Sequence, residues 1–360
     1  MRILIAASVL AVALPTLATA QGMQDAAVII APQMTNYTIG TGASKRTISQ
    51  TAIPIVFVLP FTDRFSMDVT TAYAISDVKS GGASVSKING LTDTQVRANI
   101  SVGGDAVIFT VGLNLPTGQY TIPPEQQDAA GQIGNDFLNY PVSSMGNGFA
   151  GTGGIAFARP VGSWNVGAGA SVRKSTEFAA FEVSSAEYRF TPADEFRLRL
   201  SMDRPVGQGQ VDFGLSYSAF GEDVADTTSY STGDRLIATG SWSFPVRSAN
   251  LFLSGWNLYR MEGQRLGGVS PKENVANISA GLSFTVKQVV VQPNIETRLW
   301  QVDGARAGNL VNLGMRLRVD AGKFTLYPSA GYSIGTLYST VDGTGTDVTG
   351  VRGSLTLRWN

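Results

Sequence analysis

The chain contains no cysteine and no histidine among its 360 residues. These two absences exclude disulfides, Ser-His and Cys-His nucleophile pairs, and every side-chain metal ligand except oxygen. Two carboxylates could still carry acid-base catalysis, but no Asp or Glu pair stands apart from the general charge pattern. The sequence therefore predicts a protein that is not an enzyme and that uses no cofactor and no metal.

The chain also lacks an excess of charge of either sign. Lys and Arg together number 27, as do Asp and Glu. A balanced chain gives no electrostatic reason to bind nucleic acid. After the first twenty residues there is also no apolar run long enough for a membrane helix. Any membrane-spanning structure would therefore have to be built from strands.

The first twenty residues have the pattern of a secretory signal peptide. Arg2 is followed by an apolar run, Ile3–Leu14, and then by the small-residue cleavage site Ala18-Thr19-Ala20. The alternative, a retained membrane anchor, is disfavoured because the run is too short to span a bilayer. The sequence predicts a signal peptide at 1–20 and a single exported domain at 21–360.

Between Asn309 and Ile334, apolar residues occupy every second position, with Asn, Arg and Asp between them. A period of two is the mark of a β-strand with one apolar and one polar face. Ala321-Gly322 interrupts the pattern and predicts a turn. Pairing Val319 with Phe324 across it would place both apolar sets on one face.

The same pattern, two alternating strands joined by a turn, recurs along the chain. It predicts sixteen strands, with twelve to fourteen as the alternative count. Short turns alternate with longer loops, as expected for a barrel whose short turns all lie at one end and whose longer loops all lie at the other. The fold class is therefore all-β, a transmembrane antiparallel up-and-down β-barrel. The predicted strands are 26–37, 47–61, 64–77, 91–102, 106–117, 148–160, 164–176, 194–204, 210–221, 233–245, 250–262, 273–286, 289–302, 308–320, 323–338 and 348–360.

The faces of neighbouring strands agree across the short turns. Val286 can pair with Val289, Val102 with Val107, and Phe244 with Leu251, each time keeping the apolar residues on one side. In a barrel this apolar side faces the lipid of the outer membrane, and the polar side faces a lumen that sixteen strands make wide enough for water.

The polar face supplies the candidate lumen-lining residues: Arg97, Arg197, Arg199, Glu296, Arg298, Arg316, Arg318, Arg352 and Arg358. Two interpretations remain open for the arginines of the last strands. They form a wall network, with Glu296 opposite Arg316 and Asp320 at the turn, or they form a positive constriction that favours anions. The aromatic residues near strand ends predict an interfacial girdle: Trp164, Trp242, Trp300, Trp359, Tyr259 and Tyr338.

The segment Tyr120–Met145 interrupts the strand pattern. Its residues Pro123, Pro124, Glu125 and Asp128 favour the start of a helix that would run to Leu138. Either this segment forms an external cap, or it folds into the lumen and narrows it, with Phe137 and Tyr140 as further candidate residues.

Gly90–Thr94, Leu113–Gly118 and Ala158–Gly162 resemble motifs of one outer-membrane family, the putative meta-pathway of phenol degradation proteins. That family often has Gly-Leu-Gly-Asp at the start of a strand and Leu-Pro-Thr-Gly at the end of another; here Thr92 replaces the second glycine. The resemblance implies a barrel distantly like the outer-membrane transporters of fatty acids and aromatic hydrocarbons.

The sequence and the resemblance together predict a function in the outer membrane of a Gram-negative bacterium. We expect a channel or transporter for small molecules, with hydrophobic or aromatic compounds as the cargo that the resemblance implies. The alternative is a structural or adhesive barrel that acts through its loops. The expected partners are the lipid bilayer and a small-molecule cargo, and no nucleic acid.

Overall fold

The computed structural model describes residues 26–104, 106–183 and 186–359. The predicted signal peptide at 1–20 lies outside these residues. The strands are β1 (Ala27–Ile30), β2 (Gln33–Ile39), β3 (Arg46–Thr62), β4 (Phe65–Ser80), β5 (Ala83–Leu91), β6 (Thr94–Val102), β7 (Val107–Leu115), β8 (Ala150–Val161), β9 (Trp164–Ser175), β10 (Phe178–Val183), β11 (Ala186–Thr191) and β12 (Glu195–Val206).

The remaining strands are β13 (Gly209–Phe220), β14 (Glu222–Ala225), β15 (Thr228–Ser231), β16 (Arg235–Val246), β17 (Ala249–Arg260), β18 (Gly263–Arg265), β19 (Gly268–Ser270), β20 (Glu273–Val286), β21 (Val289–Val302), β22 (Ala305–Ala321), β23 (Phe324–Tyr338) and β24 (Gly345–Trp359). One α-helix, α1 (Gln127–Ile133), and 3₁₀ turns at Gly42–Ser44 and Pro124–Gln126 complete the described elements. No described helix is long and apolar enough to cross a membrane.

Eighteen of these strands form one antiparallel sheet. In that sheet β1 with β2, and β5 with β6, are successive parts of one barrel strand, so the count is 18 − 2 = 16. The sheet closes because the last strand pairs with the first, with Val28 opposite Trp359. The predicted sixteen-stranded antiparallel barrel is confirmed, and closure leaves no free sheet edge.

Two predicted strands differ in detail. The predicted first strand is divided at Ala31-Pro32, because proline has no N–H to donate to the ladder. The predicted fourth strand begins at Ala83 rather than at Leu91, after a tight turn in which Gly81 and Gly82 have φ values of 57° and 92°. The serines around this turn conceal the alternation of apolar residues.

The expected alternation of short turns and longer loops holds only in part. Besides the turn at 81–82, the connection between β21 and β22 is a tight turn at Asp303-Gly304, although both turns lie at the loop end of the barrel. Three other loops contain short hairpins of their own, β10–β11, β14–β15 and β18–β19. The first two of these join in a separate four-stranded sheet.

The predicted pairings across the short turns are confirmed for Val286 with Val289, Val102 with Val107, and Phe244 with Leu251. The predicted pairing of Val319 with Phe324 is wrong. Ala321 pairs with Phe324 and Val319 with Leu326, because the turn is formed by Gly322-Lys323. The partner changes by two positions, so every residue keeps its predicted face.

The outer face of the barrel is apolar and uncovered. Val111, Leu200 and Leu313 expose 61%, 55% and 59% of their surface. Near the short turns, the Trp242 and Phe244 ring centroids lie 4.5 Å apart, and those of Phe324 and Trp359 lie 6.3 Å apart. An apolar band with aromatic residues at its short-turn edge matches a bilayer and its interface.

Candidate functional site

The chain between β7 and β8, residues 116–149, lies inside the barrel and is called the inserted segment. Phe137 and Tyr140 are 1% and 4% exposed, and they contact Trp300 of β21 and Tyr37 of β2, two inward side chains on strands that are not neighbours. Pro123 precedes the 3₁₀ turn that Pro124 and Glu125 begin. The helix that the sequence predicts to Leu138 ends at Ile133.

Both ends of the inserted segment are held by one buried carboxylate. Asp93 accepts hydrogen bonds from the Gly118 nitrogen (3.1 Å), the Asn147 nitrogen (2.6 Å) and the Asn114 amide (2.7 Å). The same Asn114 amide also donates to the Gly148 carbonyl at 2.6 Å. A Cβ atom on Gly118 would lie 2.1 Å from the Met145 carbonyl oxygen, so only glycine fits there. Two of the three motifs that carry the family resemblance therefore fix the ends of the segment.

From these ends the segment packs against the inner face of β3. The Gln50 side chain donates to the Val142 carbonyl at 2.7 Å and accepts from the Val142 nitrogen at 2.8 Å, as a neighbouring strand would. The Tyr140 hydroxyl donates to the Ile48 carbonyl at 3.1 Å, and burial raises the pKa of Tyr140 well above its usual value. Arg46 forms an ion pair with Asp128 of α1.

The far side of the segment is held by three arginines. Arg298 donates to the Phe137 carbonyl at 2.6 Å, and Arg352 donates to the Leu138 carbonyl at 3.1 Å. Arg260 forms ion pairs with Asp136 of the segment (2.6 Å) and with Glu273 of β20 (2.9 Å). Each of the three guanidinium groups thus donates a charge-assisted hydrogen bond to a backbone carbonyl or a carboxylate of the segment.

The Phe137 ring completes this contact. It stacks on Trp300 of β21, with centroids 5.4 Å apart and an interplanar angle of 20°. The prediction that Trp300 belongs to the interfacial girdle is therefore wrong, because its side chain faces the lumen and packs against the segment.

The inserted segment makes part of the lumen dry. Its apolar side chains form a buried core with apolar residues that face inward from the barrel wall, namely Ile48, Ala52, Ala74, Val78, Ile88, Val275, Leu310 and Val348. The expectation of a uniformly polar inner face is wrong here. The reason is that these positions face protein instead of water, and apolar burial there stabilises the segment.

The wall that these contacts reach is called the covered wall; it comprises the inner faces of β2–β5, β17, β20–β22 and β24. None of the contacts described above involves β9, β12, β13 or β16, whose inner faces are called the open wall. The open wall carries Arg173, Arg197, Arg199 and Arg235, of which Arg235 is buried at the loop end. Arg197 forms an ion pair with Glu195, whereas Arg199 forms none within the described residues.

The structure separates the predicted lumen-lining residues into different environments. Arg298 and Arg352 hold the segment, while Arg197 and Arg199 lie on the open wall. Arg97 forms an ion pair with Asp68 at 2.8 Å. The remaining members of the set, Glu296, Arg316, Arg318 and Arg358, lie on the strands that close the barrel.

The expected pair of Glu296 with Arg316 is wrong. Glu296 lies opposite Asn312 and is bonded to Arg298 and to Asn277, so Arg298 takes the place expected of Arg316. The Arg316 guanidinium instead lies over the Tyr327 ring, 4.5 Å from its centroid.

Nearer the short turn, Arg318 forms an ion pair with Asp320 at 3.1 Å, as the wall-network interpretation expects. Arg358 is exposed near the end of β24 and lies opposite Thr325 of β23. The arginines of the last strands are therefore spread along the lumen and do not form one ring.

Sequence reasoning missed several residues of the site. Asp93, Asp136, Arg173, Arg235 and Arg260 were not among the predicted site residues, although Arg235 and Arg260 are 7% and 3% exposed. Strand parity could have found the three arginines, because each continues the polar face of its strand to its end. Nothing in the pattern could have paired Asp136 with Arg260.

Among the described residues, no group of three or more Asp or Glu side chains could hold a metal ion. No protein-family model matches the chain, and no curated protein matches it.

Solved structures of outer-membrane proteins are similar at low identity. The anion-selective porin from Comamonas acidovorans is 12% identical, with coverage of 93% of this chain and 99% of that one, at a TM-score of 0.46. A bacterial polysaccharide outer membrane secretin is 9% identical (93% and 98% covered, TM-score 0.49). A loop L8 deletion mutant of OmpT from Vibrio cholerae is 12% identical (92% and 99% covered, TM-score 0.43). The closed barrel and its apolar outer band make the chain an outer-membrane β-barrel protein.

Proposed function

We propose that this protein is a channel for small molecules in a bacterial outer membrane, and that the inserted segment restricts passage to the space along the open wall. The observation that carries the proposal is the asymmetry of the lumen. One wall is hydrogen-bonded to the segment and packed against it, whereas the contacts described above do not reach the inner faces of β9, β12, β13 and β16. A lumen that is narrowed but keeps one polar wall favours selective passage over simple closure.

Charge on the open wall suggests which solutes pass. Arg199 faces the lumen with no ion pair to a described residue, and Arg173 of β9 and the buried Arg235 of β16 lie at the loop end of the same wall. A positive potential along a narrow passage raises the local concentration of anions. The passage would therefore prefer anions modestly at low salt.

The resemblance to the phenol-degradation family suggests hydrophobic or aromatic compounds as cargo. The chemistry would be binding and passage without a covalent step, since the lumen offers arginines, amides and hydroxyls. The short turns would face the periplasm and the loop end would face the exterior, as in other barrels of this kind.

The test is conductance in a planar bilayer. The wild-type protein should conduct, and a variant with residues 124–138 replaced by a Gly-Ser linker should conduct more, because the anchor at Asp93 remains and the obstruction is removed. The matched control replaces residues 263–270, which form the β18–β19 hairpin outside the barrel sheet, by the same kind of linker. Its conductance should equal that of the wild type.

Absence of conductance in both the wild type and the 124–138 variant would contradict the channel. The structural or adhesive barrel would then be the better hypothesis, since the β10–β11 and β14–β15 hairpins present a separate sheet at the loop end. Equal conductance in the wild type and the 124–138 variant would instead show that the segment does not restrict passage.

A further inference from the structure

A recess in the inner wall lies among the strands that close the barrel. It has a volume of about 300 Å³, at the lower end of the roughly 300–1,000 Å³ of small-molecule sites. Side chains from five strands line it: Phe252, Gln292, Asn294, Asn312, Arg316, Ser329 and Arg352.

The floor of this recess is built by glycine. One row of paired residues crosses six strands, in the order Phe252, Gly281, Asn294, Gly314, Gly331 and Arg352. A Cβ on Gly281 would lie 2.1 Å from the Phe252 ring, and one on Gly314 would lie 2.6 Å from Asn294 Oδ1. The glycines therefore leave room for an aromatic ring and an amide to approach the backbone of the wall closely.

The recess carries positive charge without a carboxylate of its own. Arg316 forms no ion pair with any described residue and is held by the Tyr327 ring. The nearest acids along these strands, Glu296 and Asp320, are bound to Arg298 and Arg318. Arg352 also lines the recess, but it donates to the Tyr37 hydroxyl and the Leu138 carbonyl, so Arg316 is the guanidinium that the recess offers to a ligand.

We propose that this recess binds a small organic anion that carries an aromatic ring, and that Arg316 binds its carboxylate. A guanidinium is suited to a planar carboxylate. The Phe252 ring offers an apolar surface for the ligand ring. The amides of Gln292 and Asn294 supply donors and acceptors that orient the ligand. The inference deepens the proposed channel function by naming a class of cargo, and it rests on that function only for the role of the site.

Binding is tested on the purified full-length protein in detergent micelles by isothermal titration calorimetry. Benzoate is the probe, benzyl alcohol lacks its charge, and acetate lacks its ring. The wild type should bind benzoate at least about 10-fold more tightly than it binds benzyl alcohol or acetate. The reason is that a charge-assisted hydrogen bond and the burial of a ring each raise the affinity by about that factor.

The informative variant is Arg316→Ser, which should weaken benzoate binding by about 10-fold or more. The matched control is Arg318→Ser, two positions along the same strand, where the side chain is paired with Asp320 and does not line the recess. Its benzoate affinity should equal that of the wild type. Gly281→Ala is an independent variant that displaces the Phe252 ring, and it should weaken binding of benzoate but not of acetate.

Absence of benzoate binding, or equal affinity of the wild type and Arg316→Ser for benzoate, would overturn the inference. Calorimetry does not depend on conduction, so the two proposals fail separately. A protein that conducts but does not bind benzoate retains the channel function and loses this site. A protein that binds benzoate through Arg316 but conducts nothing keeps the site and loses the channel.

Discussion

The two walls of the lumen use the same residue type in different ways. On the covered wall, Arg260, Arg298 and Arg352 each donate to a carboxylate or carbonyl of the inserted segment. On the open wall, Arg199 faces the lumen with no ion pair in the described part of the chain. The comparison shows that an inward arginine with an acceptor stabilises the structure, whereas one without an acceptor contributes positive electrostatic potential to the lumen. The alternation of residues alone does not reveal which of the two applies.

The largest expected difference between the walls concerns stability. Arg298→Met should lower the free energy of unfolding by about 3–5 kcal/mol, because it leaves Glu296 without its cation and the Phe137 carbonyl without its donor. Arg199→Met, the matched control on the open wall, should change it by less than about 0.5 kcal/mol. Denaturant titration in phospholipid vesicles measures both. Equal losses would abolish the distinction between the walls.

The comparison also requires that the inner and outer faces are assigned correctly. Leu200→Arg places a charge toward lipid and should cost about 2–4 kcal/mol or block assembly. Ser201→Arg, on the next residue and toward the lumen, should assemble like the wild type. Heat-dependent gel mobility reports assembly for both. If Ser201→Arg fails and Leu200→Arg assembles, the faces are inverted.

A smaller effect is expected where the segment meets the covered wall. Tyr140→Phe removes the hydrogen bond to the Ile48 carbonyl and should cost about 1 kcal/mol. Tyr332→Phe is the control, since Tyr332 is 50% exposed on the outer face. The same vesicle titration compares the two, and a loss at Tyr332 as large as that at Tyr140 would argue against the segment contact.

The smallest effect is expected in ion selectivity. Arg173→Ser with Arg199→Ser should shift the reversal potential toward cations at 0.1 M salt, where the Debye length is about 10 Å, and much less at 1 M, where it is about 3 Å. Arg318→Ser is the control, because its charge is already compensated by Asp320. A shift that persists unchanged at 1 M would contradict a screened potential in a wet passage.

The barrel could be predicted from the sequence because its signal is local. Alternation and turn parity depend on residues a few positions apart, as in Val286 and Val289 around their turn. The prediction failed where composition hid the alternation, as at the serines beside Gly81-Gly82, and where the exact turn residues decided the register, as at Ala321 and Phe324.

The site could not be predicted to the same extent because its contacts are distant in sequence. Arg260 meets Asp136, and Gln50 meets Val142, across separations that no periodic pattern records. The inward direction of Arg298 and Arg352 followed from parity, but their acceptors are carbonyl groups, which every residue has. The motifs that contain Asp93 and Asn114 mark strand ends in the sequence, whereas in the structure these two side chains form hydrogen bonds that hold the ends of the inserted segment.

The anchoring by Asp93 has a consequence for how such a barrel can diversify. Because one carboxylate binds the nitrogen atoms of Gly118 and Asn147, the chain leaves and rejoins the wall at nearly the same place. Lengthening or exchanging the excursion between them costs little extra closure entropy. New segments could therefore be substituted there as interchangeable cassettes, giving channels of different width and chemistry without altering the register of any of the sixteen strands.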